Sequence, residues 1–209
     1  MGAVRITGTA RLNAPRDDVW RALNDPAVLV RTIPGCLQLE EVGPDAYRMS
    51  ISAGVASIKG TYQGDVTLSD QQQPGSFVLR ASGAGAPGTV SADVKVSLAE
   101  HDGMTQLDYD ADAVVGGMIG GVGQRVLSGV ARKTAGEFFA AVEDVLTGKE
   151  PASVARAAGA GATPGVYTAP GPAVPTGEHT EFVRGAIFGA AVALAGVLVG
   201  SSVTRRRQS

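Results

Sequence analysis

From Val4 to Ala113 the chain alternates apolar and polar residues with a period of two, and after that it abandons the period. Val4, Ile6, Gly8, Ala10 and Leu12 alternate with Arg5, Thr7, Thr9 and Arg11. Tyr47, Met49, Ile51, Ala53 and Val55 alternate with Arg48, Ser50 and Ser52. Phe77, Leu79 and Ala81 follow the same rule, as do Val90, Ala92, Val94, Val96 and Leu98, and then Leu107, Tyr109, Ala111 and Ala113. Residues 57–69 put Tyr62, Val66 and Leu68 on one face, and a further strand is expected near 36–42. Period two sends alternate side chains to opposite faces of a strand. Short turns between such segments require antiparallel pairing, with one face buried and one in water. The chain is therefore expected to build about seven antiparallel strands.

Two interruptions read as short helices. Asn13-Ala14-Pro15 places proline in a first turn, followed by Asp17, Asp18, Val19, Trp20 and Leu23, and a second start follows Asp25-Pro26. The last element of the body is a long helix from about Gly120 to Thr147. Ile119, Val122, Val126, Val130, Thr134, Phe138, Ala141 and Val145 recur there at steps of three and four, and Gly148 suits its end. The expected fold is α+β: a curved antiparallel sheet gripping a long C-terminal helix, with two short helices after the first strand. Glycines inside strand patterns (Gly54, Gly60, Gly64) favour bends that curl the sheet. Small inward residues such as Ala53, Ala81, Ala92, Ala111 and Ala113 either leave a ligand cavity under the helix or let it pack close.

Several chemistries are excluded or weakened. Residues 1–148 hold 12 Lys+Arg against 17 Asp+Glu, a net of −5, which disfavours nucleic acid as a partner. The lone Cys36 forbids an internal disulfide. Cys36 is open to two readings, a nucleophile or a small buried thiol, and no histidine accompanies it in its segment. Gly83-Ala84-Gly85-Ala86-Pro87-Gly88 has the letters of a dinucleotide loop, but a strand follows it and Pro87 sits inside it, so it reads as a hairpin turn. Asp108, Asp110 and Asp112 start like a calcium loop, but Ala113 and Ile119 occupy the positions that need Gly and Glu. His101 and His179 fall in a turn and a linker, which suggests no catalytic base and no metal cluster. Apart from three tyrosines the inward faces carry no titratable group, so binding is favoured over catalysis.

Three regions follow from composition: the body at 1–148, an Ala/Gly/Pro-rich flexible linker at 149–180, and a tail at 181–209. The tail runs from Phe182 into Gly185–Val203, 19 residues without a charge. As a helix that stretch is about 28 Å long, close to a hydrocarbon core of roughly 30 Å. Ile187, Phe188, Leu194 and Leu198 supply apolar surface. Gly185, Gly189, Gly196 and Gly200 fall on one face suited to self-association. Arg205, Arg206 and Arg207 end the chain and favour the cytoplasmic side. A cytoplasmic body and cytoplasmic arginines cannot both flank one span, so either the arginines cross or the helix lies shallowly on anionic lipid. No signal peptide is visible at the N-terminus. The expected location is the cytoplasmic face of the cell membrane.

Ile33-Pro34-Gly35-Cys36, Ile58-Lys59-Gly60 with Gly64-Asp65-Val66, and ADAVVGGMIGGVGQRVL followed by ARKTAGEFF resemble the carbon monoxide dehydrogenase CoxG family. The layout around them resembles the START-like helix-grip superfamily, and the likeness covers about residues 4–147. The resemblance implies a hydrophobic ligand under the long helix and a non-catalytic role beside aerobic molybdenum CO dehydrogenase, tethering that enzyme to membrane lipids. It implies electron transfer to a respiratory quinone, of menaquinone type, as the bound ligand. The alternative is a membrane-recruitment scaffold with a solid interior. The expected cavity contacts are Trp20, Met49, Ile51, Tyr62, Phe77, Tyr109, Met118, Ile119, Val122, Val126 and Phe138.

Overall fold

The computed structural model describes residues 2–149 and 163–170. The strands are β1 (Gly2–Leu12), β2 (Cys36–Gly43), β3 (Ala46–Val55), β4 (Ile58–Gln72), β5 (Ser76–Gly85), β6 (Gly88–His101), β7 (Met104–Gly117) and β8 (Val166–Thr168). The helices are α1 (Arg16–Asn24), α2 (Pro26–Thr32) and α3 (Gln124–Leu146), with one 3-10 turn at Met118–Val122. All neighbours pair antiparallel in a single sheet, ordered β1-β7-β6-β5-β4-β3-β2-β8. The curved sheet with its long last helix is the α+β layout expected from the alternating pattern.

The pattern acts through burial. Along β1, Val4, Ile6 and Leu12 are buried. Arg5 and Asp110, diagonal neighbours across β1 and β7, meet on the wet face at 2.7 Å. Arg80 and Asp93 face each other across β5 and β6 in the same way. These exposed pairs contribute little stability, so the buried face carries the fold. Its largest cluster joins α1 (Val19, Trp20, Leu23) to Phe77, Leu98, Leu107 and Val142 of α3. Trp20 meets Phe77 edge-on, with ring centroids 5.6 Å apart.

Local chemistry sets the helix ends. Asp25 caps α2 by accepting from the Ala27 N–H, and Pro26 opens the helix. At Gly35 the backbone takes φ 76° between α2 and β2, and a Cβ there would strike the Ser52 carbonyl oxygen. Only glycine lets the chain turn so close to β3. Gly148 closes α3 at φ 67°.

Two expectations are corrected. The helix expected from about Gly120 begins at Gln124 instead, because Gly117 (φ 74°) and Gly123 (φ 93°) break the chain on both sides of the 3-10 turn. The sheet also has an eighth strand, taken from the expected linker. Val166, Tyr167 and Thr168 pair with Glu40, Leu39 and Gln38, and Tyr167 packs on the cluster of Val30, Cys36, Leu39 and Tyr47. Composition hides this strand, since only three residues pair and their stability comes from the surface they cover. The rest of the linker and the whole tail, including Phe182, Gly185, Ile187, Phe188, Gly189, Leu194, Gly196, Leu198, Gly200, Arg205, Arg206 and Arg207, lie outside the described residues. Among the described residues no helix is long and apolar enough to cross a membrane.

Candidate ligand cavity

α3 packs along β1 and against α2 but touches β3 only sparsely. The sheet curls away from the helix, and the space between them is an open cavity of about 560 Å³. Its sheet wall is built from inward residues of β1 and β3–β7, with Leu68, Leu79, Val94, Ala111 and Ala113 across the middle. α3 closes it with Leu127, Val130, Ala131, Thr134, Ala135, Phe138 and Phe139. Leu29, Ile33, Pro34 and Leu39 form one end, and Val55 and Ile119 also line it. Ala81, Ala111 and Ala113 do leave space under the helix; Ala53 is exposed and lines nothing.

Polar groups in this wall are few. Among the described residues no charged side chain lines it; its side-chain hydroxyls are those of Tyr47, Tyr109 and Thr134. Burial raises the Tyr47 pKa, with Glu41 and Asp45 adding to the effect. The phenol therefore stays protonated and can donate a hydrogen bond. Tyr109 is placed by its partner in β1: Gly8 stands opposite, and a Cβ on Gly8 would collide with the phenol ring. The missing side chain is what lets Tyr109 lie there. Tyr109 also stacks obliquely on Phe139, with centroids 5.6 Å apart.

Of the contacts expected from sequence, the structure brings Met49, Phe77, Tyr109, Ile119 and Phe138 together on the cavity wall. The others lie elsewhere. Trp20 is buried behind the wall in the α1 cluster, and Tyr62, Ile51 and Val122 belong to a second packed cluster with Val4, Ile6 and Leu127. Met118 and Val126 are outside, 63% and 42% exposed. The cause is helix phase. Starting at Gln124, the inward stripe is Leu127, Val130, Ala131, Thr134, Ala135 and Phe138; Val126 sits about 100° from Leu127. Leu23, Leu29, Ile33, Leu39, Ala131 and Phe139 join the wall without having been expected there. The four-residue step from Leu29 to Ile33 at the α2 end is the signal that could have found two of them.

Cys36 is buried, and its thiol points to the Gln38 carbonyl oxygen at 3.7 Å. Desolvation pushes its pKa up to about 11, so the buried-thiol reading holds and the nucleophile reading fails. Asp108 accepts from Thr9 and Gln106, and Asp110 from Arg5, so these carboxylates are partnered on the wet face. Among the described residues no three His, Cys, Asp or Glu groups converge as a metal site.

A curved sheet gripping a long helix over an apolar cavity defines the START-like helix-grip class. Within it, the chain belongs to the CoxG family, named for carbon monoxide dehydrogenase, whose sequence model matches residues 8–147. A conserved protein from Geobacillus kaustophilus is similar in structure, with a TM-score of 0.67 and 34% identity over 69% of this chain and 96% of that one. A START superfamily protein from Mycobacterium smegmatis shares the fold at 13% identity and a TM-score of 0.56, covering 70% of this chain and 99% of its own. The Zhui aromatase/cyclase from Streptomyces sp. R1128 does so at 16% identity and a TM-score of 0.55, covering 72% and 98%. No curated protein matches the sequence.

Proposed function

We propose that the protein is a non-catalytic accessory of aerobic CO dehydrogenase that holds a respiratory quinone, of menaquinone type, in the cavity and presents it to the enzyme at the membrane. The observation that carries this reading is the wall itself: about 560 Å³ of space with no charge and three hydroxyls. At about 24 cal/mol per Å³, leaving 560 Å³ unfilled would cost on the order of 13 kcal/mol against a packed interior. That is an upper bound for an open cavity, yet it matches a typical net stability of about 5–15 kcal/mol. A fold that keeps such space is better explained by an apolar occupant than by packing. Each methylene buried contributes roughly 0.8 kcal/mol, so an isoprenoid chain suits the space. Tyr47 and Tyr109 are the donors available to a quinone carbonyl.

The CO dehydrogenase partner is taken from the family name and the membrane from the tail. Residues 181–209 would anchor the body at the cytoplasmic face, with the glycine face open to self-association. Catalysis is disfavoured because neither tyrosine has a charged partner in the wall to drive proton transfer.

The test is lipid extraction from full-length protein purified out of its own membranes. Mass spectrometry should find a quinone near one per chain, and Ala135→Phe, which fills the cavity from α3, should lower that occupancy at least ten-fold in folded protein. Absence of any quinone, together with failure to take up added menaquinone, would refute the carrier reading and leave a membrane scaffold.

A further inference from the structure

The charges of the body are divided between its two ends. Because the strands are antiparallel, the β3–β4 and β5–β6 turns and the 3-10 turn share one end with the start of α3. They touch there: the Ile119 N–H donates to the Pro87 carbonyl at 3.3 Å, and Gly60 lies against the Pro87 ring. The segments that build this end, residues 49–64, 81–92 and 113–136, contain no Asp or Glu and four cations, Lys59, Arg125, Arg132 and Lys133. The opposite end carries Asp45, Asp70 and Asp102 in its turns, Asp17 and Asp18 on α1, where Arg21 pairs with Asp18, and Glu143 on α3.

In a body of net charge −5 that partition is a strong polarity. The cationic end is also where apolar side chains stand in water: Met118 is 63% and Val126 is 42% exposed. α3 starts there with no side-chain cap, so its unpaired N–H groups add positive potential. Exposed apolar groups ringed by cations fit the boundary of an anionic bilayer, where headgroup phosphates meet the first methylenes.

We infer that this end is a docking face for an anionic lipid surface. Met118 and Val126 enter the interface, Lys59 and Arg125 meet phosphates, and the acidic end is repelled outward. Docking uses the body itself and is separate from any anchor in the tail. It aims Ile119, one residue from Met118 and part of the cavity wall, at the bilayer, so an apolar ligand passes between lipid and cavity without crossing water. Only that last consequence rests on the carrier reading; docking stands without a bound quinone.

The experiment uses the full chain on vesicles of phosphatidylglycerol with phosphatidylcholine and on phosphatidylcholine alone. A polarity-sensitive fluorophore is attached at Gly121→Cys, where nothing lies within 4 Å of an added Cβ, or at Asp17→Cys on the acidic end. Cys36 stays unlabelled near neutral pH because its thiol is buried and its pKa is about 11. Flotation reports association of the whole chain, and acrylamide quenching reports what each end touches. On anionic vesicles, quenching at 121 should fall several-fold while quenching at 17 stays unchanged. Met118→Glu with Arg125→Glu should restore quenching at 121, with the chain still floating if its tail holds it. Both positions are exposed, and circular dichroism checks that the fold survives. Equal quenching at 121 and 17 on floated protein, or protection that ignores the two substitutions, would overturn the docking face. Neither result depends on finding a quinone by mass spectrometry, so the two proposals fail separately.

Discussion

Cys36 shows how little one reactive side chain says until its surroundings are known. Its sulfur is enclosed by the Val30, Leu39 and Tyr47 cluster, and desolvation lifts its pKa from 9.0 to about 11. The neutral thiol is favoured by folding, so stability is unaffected below pH 9 and falls as the pH rises from there toward 11, where the unfolded chain ionises first. Iodoacetamide should alkylate native protein at neutral pH about 100-fold more slowly than urea-unfolded protein, since the native thiolate population is lower by about two powers of ten. Equal rates would mean the thiol is not enclosed. Glycines act at this scale by absence: Gly35 lets the chain turn against Ser52, and Gly8 leaves room for Tyr109.

Among the elements, the strands are the most legible in the sequence and β8 the least. Period two fixes which face is buried without knowing any partner, which is why Met49, Phe77 and Tyr109 fall on the cavity side as expected. The phase of α3 is not fixed that way. A stripe drawn through Val122 and Val126 drifts about 40° with each four-residue step, and it favours large side chains over Ala131 and Ala135, the residues that face the cavity. β8 exists because Tyr167 and Ala169 find the α2–β2 surface, a tertiary cause with no local trace. Tyr167→Ala should lower unfolding stability by about 1–3 kcal/mol for a half-buried aromatic. The same change should speed Cys36 alkylation, since both touch one cluster. An unchanged denaturation midpoint would show that β8 adds nothing.

For the whole molecule, the cavity makes stability depend on what fills it. A ligand that binds only the folded state adds about 2.7 kcal/mol at a hundred times its dissociation constant. Menaquinone delivered in detergent should therefore raise the thermal midpoint of full-length protein. Ala131→Phe should abolish that rise while leaving the ligand-free midpoint equal or higher, because the new ring occupies empty space. A midpoint insensitive to menaquinone in the parent chain would count against the carrier reading. The cavity as a volume is only half legible in the sequence, since the alanines under the helix are compatible with close packing until the curl of the sheet is known.

The eighth strand has a mechanical consequence. Any pull on the chain beyond residue 170 reaches β8 before the rest of the body. β8 holds by three paired residues and a few backbone hydrogen bonds, such as Ala169 to Leu37 at 3.1 Å, whereas β6 and β7 are zipped along their whole lengths. Under load it yields first and alone. Peeling residues 163–170 releases about 27 Å of extended chain at roughly 3.4 Å per residue. The strand then works as a shock absorber: it gives slack under tension, exposes the flank of Leu39 and Tyr47 while stretched, and spares the ligand-holding sheet from the force.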